Sequence, residues 1–364
     1  MTERVFNFSP GPAVLPVPVL EQAQRELLSL PGVGMSILEI SHRSKAFDAF
    51  LAEATDGIRS LMGVPDGYHI LFLQGGASLQ FYMLAMNLLR GSGKTAGYIL
   101  TGTWGKKAID EARREGETQV LWDGKATNYD RLPKAAELQT ARDAAFVHFT
   151  ANETIQGVEF SAEPESGNNP LVCDASSSFL SRPIPVGRYG LIYACAQKNA
   201  GPAGVTVVIA RDELIRRAPA GLPPMLDYRA YADNESRYNT PPTFGIYALM
   251  LICRWLKNDI GGLTKMEELN RTKAAMLYGV LDKHPKFYQG HAQPDCRSLM
   301  NVTFRLPNEE LEKAFLEGAK QHKLIDLKGH RSVGGIRASI YNAMPREGVE
   351  TLRQYMLDFV KQRG

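Results

Sequence analysis

The sequence predicts an α/β fold in which a large three-layer α/β/α unit with a mainly parallel sheet adjoins a smaller α+β unit. Seven short apolar runs alternate with helix-like segments through the middle of the chain. Each run is apolar on both faces, the pattern of strands buried beneath helices on either side. Beyond Phe244 the alternation gives way to long helices with only scattered strands.

A turn-rich arm, Asn7-Phe-Ser-Pro-Gly-Pro-Ala13, opens the chain, and helical patterns follow over 19–30 and 47–62. The seven runs are 69–73, 97–101, 118–122, 144–150, 170–174, 191–196 and 205–210, each bounded by Gly, Asp or Thr. Ligands of such sheets gather at the C-terminal strand ends. Then come helices over 244–258 and 263–283, a strand at 298–305, a helix at 309–322, a strand at 335–340 and a helix at 347–362. The expected division is 17–258 for the large unit and 1–16 with 259–364 for the small one. A chain of 364 residues, 44% of them hydrophobic, has ample material for two such cores.

Composition narrows the function. Net charge is +3, with 42 basic and 39 acidic residues interspersed, so nothing marks a nucleic-acid surface. Cys173, Cys195, Cys253 and Cys296 show no C-x-x-C spacing, which argues against a disulfide framework or a zinc site. The start of the chain lacks the apolar segment of a secretory signal. The longest apolar stretch, 244–256, contains Arg254 and is too short to span a bilayer. A cytoplasmic protein without membrane or nucleic-acid partners is expected.

Three features fall at strand ends. Leu71-Phe-Leu-Gln-Gly-Gly-Ala-Ser-Leu79 runs from strand to helix through two glycines, so free N–H groups there and the Ser78 hydroxyl could cradle a phosphate. It could also be only a turn. Asp174 directly follows an apolar run, as either a helix cap or a functional carboxylate. Lys198 ends another run and precedes a Gly/Pro turn with little polar surface around it, where a partly buried amine becomes a nucleophile and base. Together they match the needs of pyridoxal 5′-phosphate: a lysine for the aldehyde, a carboxylate for the ring nitrogen and a phosphate nest. Trp104, after a further strand, is placed either to stack on that ring or to pack in the core. A P-loop at Gly91-Ser-Gly-Lys-Thr95 is excluded, because position 88 is leucine and the glycines follow a helix.

At Ala196-Gln-Lys-Asn-Ala-Gly-Pro-Ala-Gly204 the sequence resembles the phosphoserine aminotransferases, fold-type I enzymes of class V. The likeness covers essentially the whole chain. It includes Ser41-His-Arg43, Asn152-Glu-Thr154, Tyr238-Asn-Thr-Pro-Pro-Thr-Phe244, Lys328-Gly-His-Arg331 and Arg337-Ala-Ser-Ile-Tyr-Asn-Ala-Met-Pro345. The resemblance implies a homodimer that converts 3-phosphohydroxypyruvate and L-glutamate to O-phospho-L-serine and 2-oxoglutarate. It implies Lys198 as the lysine of the cofactor Schiff base, Asp174 on the ring nitrogen, Trp104 over the ring and Thr154 on the ring hydroxyl. Ala77, Ser78 and Gln197 would bind the cofactor phosphate, with Asn239 and Thr240 reaching it from the partner subunit. His42, Arg43, His330 and Arg331 would hold the substrate phosphate or the glutamate side-chain carboxylate, and Arg337 the α-carboxylate. One departure is Ser78, where some members carry arginine; its hydroxyl can still donate to phosphate. Forked guanidinium groups suit both anions on physical grounds alone, although His-Arg pairs also form ordinary surface contacts. The rivals are a class V desulfurase, which needs a reactive loop cysteine, a lyase or serine–glyoxylate-type transaminase, and a cofactor-free binding protein.

Overall fold

The computed structural model describes residues 4–364. Strand β1 (Phe6–Asn7) opens the chain, followed by helices α1 (Val17–Glu26) and α2 (Lys45–Met62). The alternating region runs β2 (Tyr68–Leu73), α3 (Gly76–Leu88), β3 (Ala96–Leu100), α4 (Thr103–Ala112), β4 (Thr118–Asp123) and β5 (Phe146–Thr150). It continues with β6 (Asn152–Glu153), β7 (Val158–Glu159), β8 (Leu171–Asp174), β9 (Tyr189–Cys195) and β10 (Thr206–Arg211). Helices α5 (Asp212–Ile215), α6 (Tyr228–Asp233) and α7 (Thr243–Arg254) lead to α8 (Leu263–Lys283). The remainder is β11 (Gln289–Gly290), β12 (Asn301–Arg305), α9 (Glu309–Gln321), β13 (Leu324–Ile325), β14 (Ile336–Ser339) and α10 (Arg346–Arg363).

The seven predicted runs form one sheet in the order β2-β10-β9-β8-β5-β3-β4. Strands β4, β3, β5, β8 and β9 are mutually parallel, while β10 is antiparallel to both its neighbours. Strand β2 therefore points the same way as β9, and the ends of β2, β3, β5, β8 and β9 share one edge of the sheet. That edge collects the chemistry.

Alternate residues of the strands enter two different cores, which is why the runs read as apolar throughout. Phe72, Val147, Phe149, Cys173 and Ile192 pack with α1, α2 and α7. Leu73, Tyr98, Phe146, Val172 and Tyr193 pack with α3, α4, α5 and α6. A third core gathers Phe8, α8, β12, α9, β14 and α10. The N-terminal arm joins this third region, since β1 pairs in parallel with β13.

The structure moves several predicted boundaries. The first helix stops at Glu26 rather than residue 30, ahead of Pro31 and of Gly32 in the left-handed region at φ +79°. The predicted strand at 298–305 begins only at Asn301, because the Ser298 hydroxyl accepts from the Met300 and Asn301 amides and closes a turn. Helix α7 ends at Arg254 and continues over Trp255–Ile260 as a wider π turn. Strand β4 is half-exposed because it forms one edge of the sheet. No helix among the described residues is long and apolar enough to cross a membrane.

Candidate active site

Lys198 lies just past the end of β9, partly buried, with Nζ donating to Thr154 Oγ1 at 2.7 Å. The N-terminal arm covers its stem: Ala13 N–H donates to the Gln197 carbonyl at 2.8 Å, and a Cβ on Gly11 would sit 3.4 Å from Lys198 Cγ. The Lys198 amine is 5.9 Å from the centroid of the Trp104 ring, on which Lys107 sits at 4.5 Å. Asp174, at the end of the adjacent strand β8, is buried and accepts the Ser176 amide at 3.0 Å. Burial raises its pKa, against the Ser176 hydrogen bonds and the Lys198 charge. Lys198, Asp174, Thr154 and Trp104 are thus brought together at the ends of four neighbouring strands, β9, β8, β5 and β3.

At the end of β2 the chain turns through Gly75, at φ +85°, where a Cβ would come within 2.5 Å of Leu79. Helix α3 therefore starts without a side-chain cap, which leaves its first amides free beside Ala77 and the exposed Ser78. Gln74 Nε2 donates to the Thr240 carbonyl at 3.2 Å, so the 238–240 loop lies beside this helix start in the same chain.

Arg337, on β14, is buried with Nε unpartnered, and burial lowers its pKa. His330 lies near it, its pKa lowered first by burial and then by the charges of Arg337, Arg331 and Lys107. Every charged group acting on this imidazole is a cation, which makes an anion-attracting mouth. His42 and Arg43 belong to a different segment of the chain. They lie on the Ser41–Ser44 turn ahead of α2, with Arg43 Nε 3.4 Å from His42 Nε2.

Glu153 is the residue that sequence reasoning missed. It is fully buried and its carboxylate accepts the Trp104 and Gly105 amides at 3.0 and 2.9 Å. Burial pushes its pKa up to about 7, opposed by those two amides. Tyr341 and Asn342, also unassigned from sequence, tie β14 to the lysine turn. Tyr341 Oη donates to the Pro10 carbonyl at 2.8 Å, and the Asn342 amide donates to Asn199 Oδ1 at 3.0 Å. A polar residue buried against backbone amides leaves no mark in the sequence beyond an unexpected charge in an apolar setting, as in Asn152-Glu-Thr154.

The arrangement suits a cofactor with an aldehyde, a basic ring nitrogen and a phosphate. Besides the lysine, carboxylate and uncapped helix, the Trp104 Nε1, Thr101 Oγ1 and Thr150 Oγ1 atoms are buried there without partners. The four cysteines are all buried, and burial raises Cys173 well above the ordinary range, Cys253 to about 12 and Cys296 to about 11. That leaves no exposed loop thiol for desulfurase chemistry. No His/Cys/Asp/Glu group among the described residues could hold a metal ion.

The chain as a whole is similar to known proteins. The family model for class-V aminotransferases matches residues 5–352. A phosphoserine aminotransferase of Rhodopirellula baltica is 56% identical over all of this chain and 96% of its own length. The solved phosphoserine aminotransferase of Bacillus circulans subsp. alkalophilus superposes with a TM-score of 0.97 at 49% identity, covering 100% of both chains. A pyridoxal-phosphate-bound phosphoserine aminotransferase of Trichomonas vaginalis superposes at 0.92 with 41% identity, over 97% of this chain and 100% of its own.

Proposed function

This chain belongs to the class-V aminotransferases, and on that premise we propose that it transfers an amino group between L-glutamate and 3-phosphohydroxypyruvate with pyridoxal 5′-phosphate as cofactor. The products are O-phospho-L-serine and 2-oxoglutarate, a step of serine biosynthesis. The observation that carries the reading is the Lys198 amine held by Thr154 beside the Trp104 ring, with the buried Asp174 carboxylate on the next strand end.

When bound, pyridoxal phosphate supplies an aldehyde that takes up the amino group and a protonated ring that draws electrons from the substrate Cα. Lys198 would hold the aldehyde carbon, Asp174 the ring nitrogen, Trp104 the ring face and Thr154 the ring hydroxyl. Ala77, Ser78 and Gln197 would bind the phosphate. In the reaction Lys198 Nζ would carry the proton from the substrate Cα to the carbon that was the cofactor aldehyde, and Thr154 Oγ1 would orient that nitrogen. The N-terminal arm over the lysine stem and the Tyr341 contact to Pro10 shield the amine from water.

Arg337 takes the α-carboxylate. Buried with an unpartnered Nε, it is short of the partner that a carboxylate supplies. His330 and Arg331, joined by His42 and Arg43, take the phosphate in one half-reaction and the glutamate side chain in the other. In the homodimer His42 and Arg43 would arrive from a second copy. Asn239 and Thr240 would reach the cofactor phosphate of a homodimer partner. The large unit of 17–258 then carries the cofactor, and the unit of 1–16 with 259–364 closes on the substrate. We place the enzyme in the cytoplasm, and the same pocket suits 4-phosphohydroxy-L-threonine of pyridoxine biosynthesis. Sedimentation of the active enzyme as a dimer checks the assembly; full activity in a monomer contradicts it.

A panel of amino donors with 2-oxoglutarate tests the function. Phosphoserine should exceed alanine in kcat/KM on the order of 100-fold, the scale of charge-assisted contacts to a distal anion. Equal rates with alanine would contradict the proposal.

A further inference from the structure

Helix α4, which carries Trp104, begins without a side-chain cap of its own because its N-cap position is Gly102. Its first amides are met from outside. Trp104 N–H donates to Glu153 Oε2 at 3.0 Å, Gly105 N–H to Glu153 Oε1 at 2.9 Å, and Thr103 N–H to Gln156 Oε1 at 3.4 Å. A carboxylate spanning two amides at a helix start also meets the positive end of the helix dipole. The approach is close: a Cβ on Gly102 would lie 2.5 Å from Glu153 Cδ. The turn that offers the carboxylate is itself closed, with Gly157 N–H donating to the Glu153 carbonyl at 2.8 Å. The next residue, Thr154, accepts the Lys198 amine. Two consecutive residues thus grip two different parts of the site.

We propose that Glu153 is a positioning residue, which fixes the Trp104 indole relative to the Lys198 amine by capping α4 from the strand that also presents Thr154. This rests on the reading of Trp104 and Lys198 as facing the cofactor. Without the cap the first turn of α4 frays and the indole loses its place over the ring. Cofactor affinity and kcat then fall, while KM for phosphoserine, set by the arginines at the mouth, stays. The charged and titratable groups facing Glu153 are Asp174, Lys198 and Tyr129, and none of them replaces its two amide contacts.

The test compares wild type with Glu153→Gln and Glu153→Ala. Hydrogen exchange is followed in the cofactor-free protein at residues 103–112, with pyridoxal phosphate titration and steady-state kinetics alongside. Glutamine keeps one acceptor, so the variants should be graded. Glu153→Gln is expected to speed exchange at Trp104 and Gly105, raise the cofactor Kd and lower kcat, each by about 10-fold, the scale of a lost cap. Glu153→Ala should exceed it in all three, with KM for phosphoserine unchanged. Wild-type exchange in both variants overturns the proposal. So does faster exchange with unaltered cofactor affinity and kcat, which leaves Glu153 a fold residue only. Should the Glu153 variants fail to fold, Gly102→Ala displaces the intact carboxylate and must give the same signature; its absence overturns the proposal equally. A borohydride label away from Lys198 would remove the underlying reading while leaving the exchange result standing, so the two failures are distinguishable.

Discussion

Lys273 lies in α8, almost wholly shielded from water, with Nζ donating to the carbonyls of Ile340, Tyr341, Asn342 and Met344 at 3.1, 2.8, 3.3 and 3.2 Å. Lys198 is only partly buried and its Nζ donates to one hydroxyl, that of Thr154. An ammonium has three donors. The first lysine spends all of them on the loop behind β14; the second has donors to spare. Burial alone does not make an amine reactive, and the more buried of the two is the anchor. The arginines repeat the contrast. Arg90, Arg254 and Arg297 are held by the carboxylates of Glu115, Glu53 and Asp282, whereas Arg331 and Arg337 have no ion-pair partner among the described residues.

The largest effect expected from this contrast is in Lys198→Ala. It should lose turnover by about 100- to 10,000-fold, the range of a removed general acid–base group. Its unfolding midpoint without cofactor should stay near wild type. Lys273→Met should do the reverse. Losing the donor leaves backbone carbonyls short of partners and should lower stability by about 2–4 kcal/mol, read by denaturant unfolding. Comparable destabilisation by both substitutions would break the comparison.

The same lysine makes a pH prediction. Burial pushes the Lys273 amine down from 10.5 to about 7. The unfolded chain therefore holds a proton between those values that the folded chain has released. Stability gains with rising pH across that window and lacks the gain below pH 7. The difference between wild type and Lys273→Met should therefore grow from pH 7 towards pH 10. A difference independent of pH would mean that Lys273 does not change protonation on folding.

A smaller effect sharpens the arginine half of the contrast. Arg331→Ala should lower kcat/KM for phosphoserine about 10- to 100-fold and leave alanine alone. Arg337→Ala should impair both, since both carry an α-carboxylate. Equal losses for the two substrates in Arg331→Ala would mean that Arg331 does not bind the distal anion.

The sequence made some of this legible and hid the rest for physical reasons. The seven sheet strands announced themselves because strands buried on both faces are continuous apolar runs ended by turn residues. Strands β1, β6, β7, β11 and β13, two residues each, are too short to carry any period. Asp174 and Lys198 stood out as charges at the ends of apolar runs. Lys273 did not, because a lysine on a helix reads like its exposed neighbour Lys265, and the four carbonyls that hold it lie 67 to 71 residues away. Glu153 was hidden likewise: its partners are amides 48 and 49 residues earlier in the chain. The His330–Arg331–Arg337 mouth was assembled from motif likeness, and the geometry adds Lys107 to it.

The most direct test of the account is where the cofactor attaches. The purified yellow enzyme is reduced with borohydride, digested, and the pyridoxyl-labelled peptide sequenced by mass spectrometry. The label should fall on Lys198, within Ala196-Gln-Lys-Asn-Ala-Gly-Pro-Ala-Gly204. A label on any other lysine, Lys273 included, would contradict it.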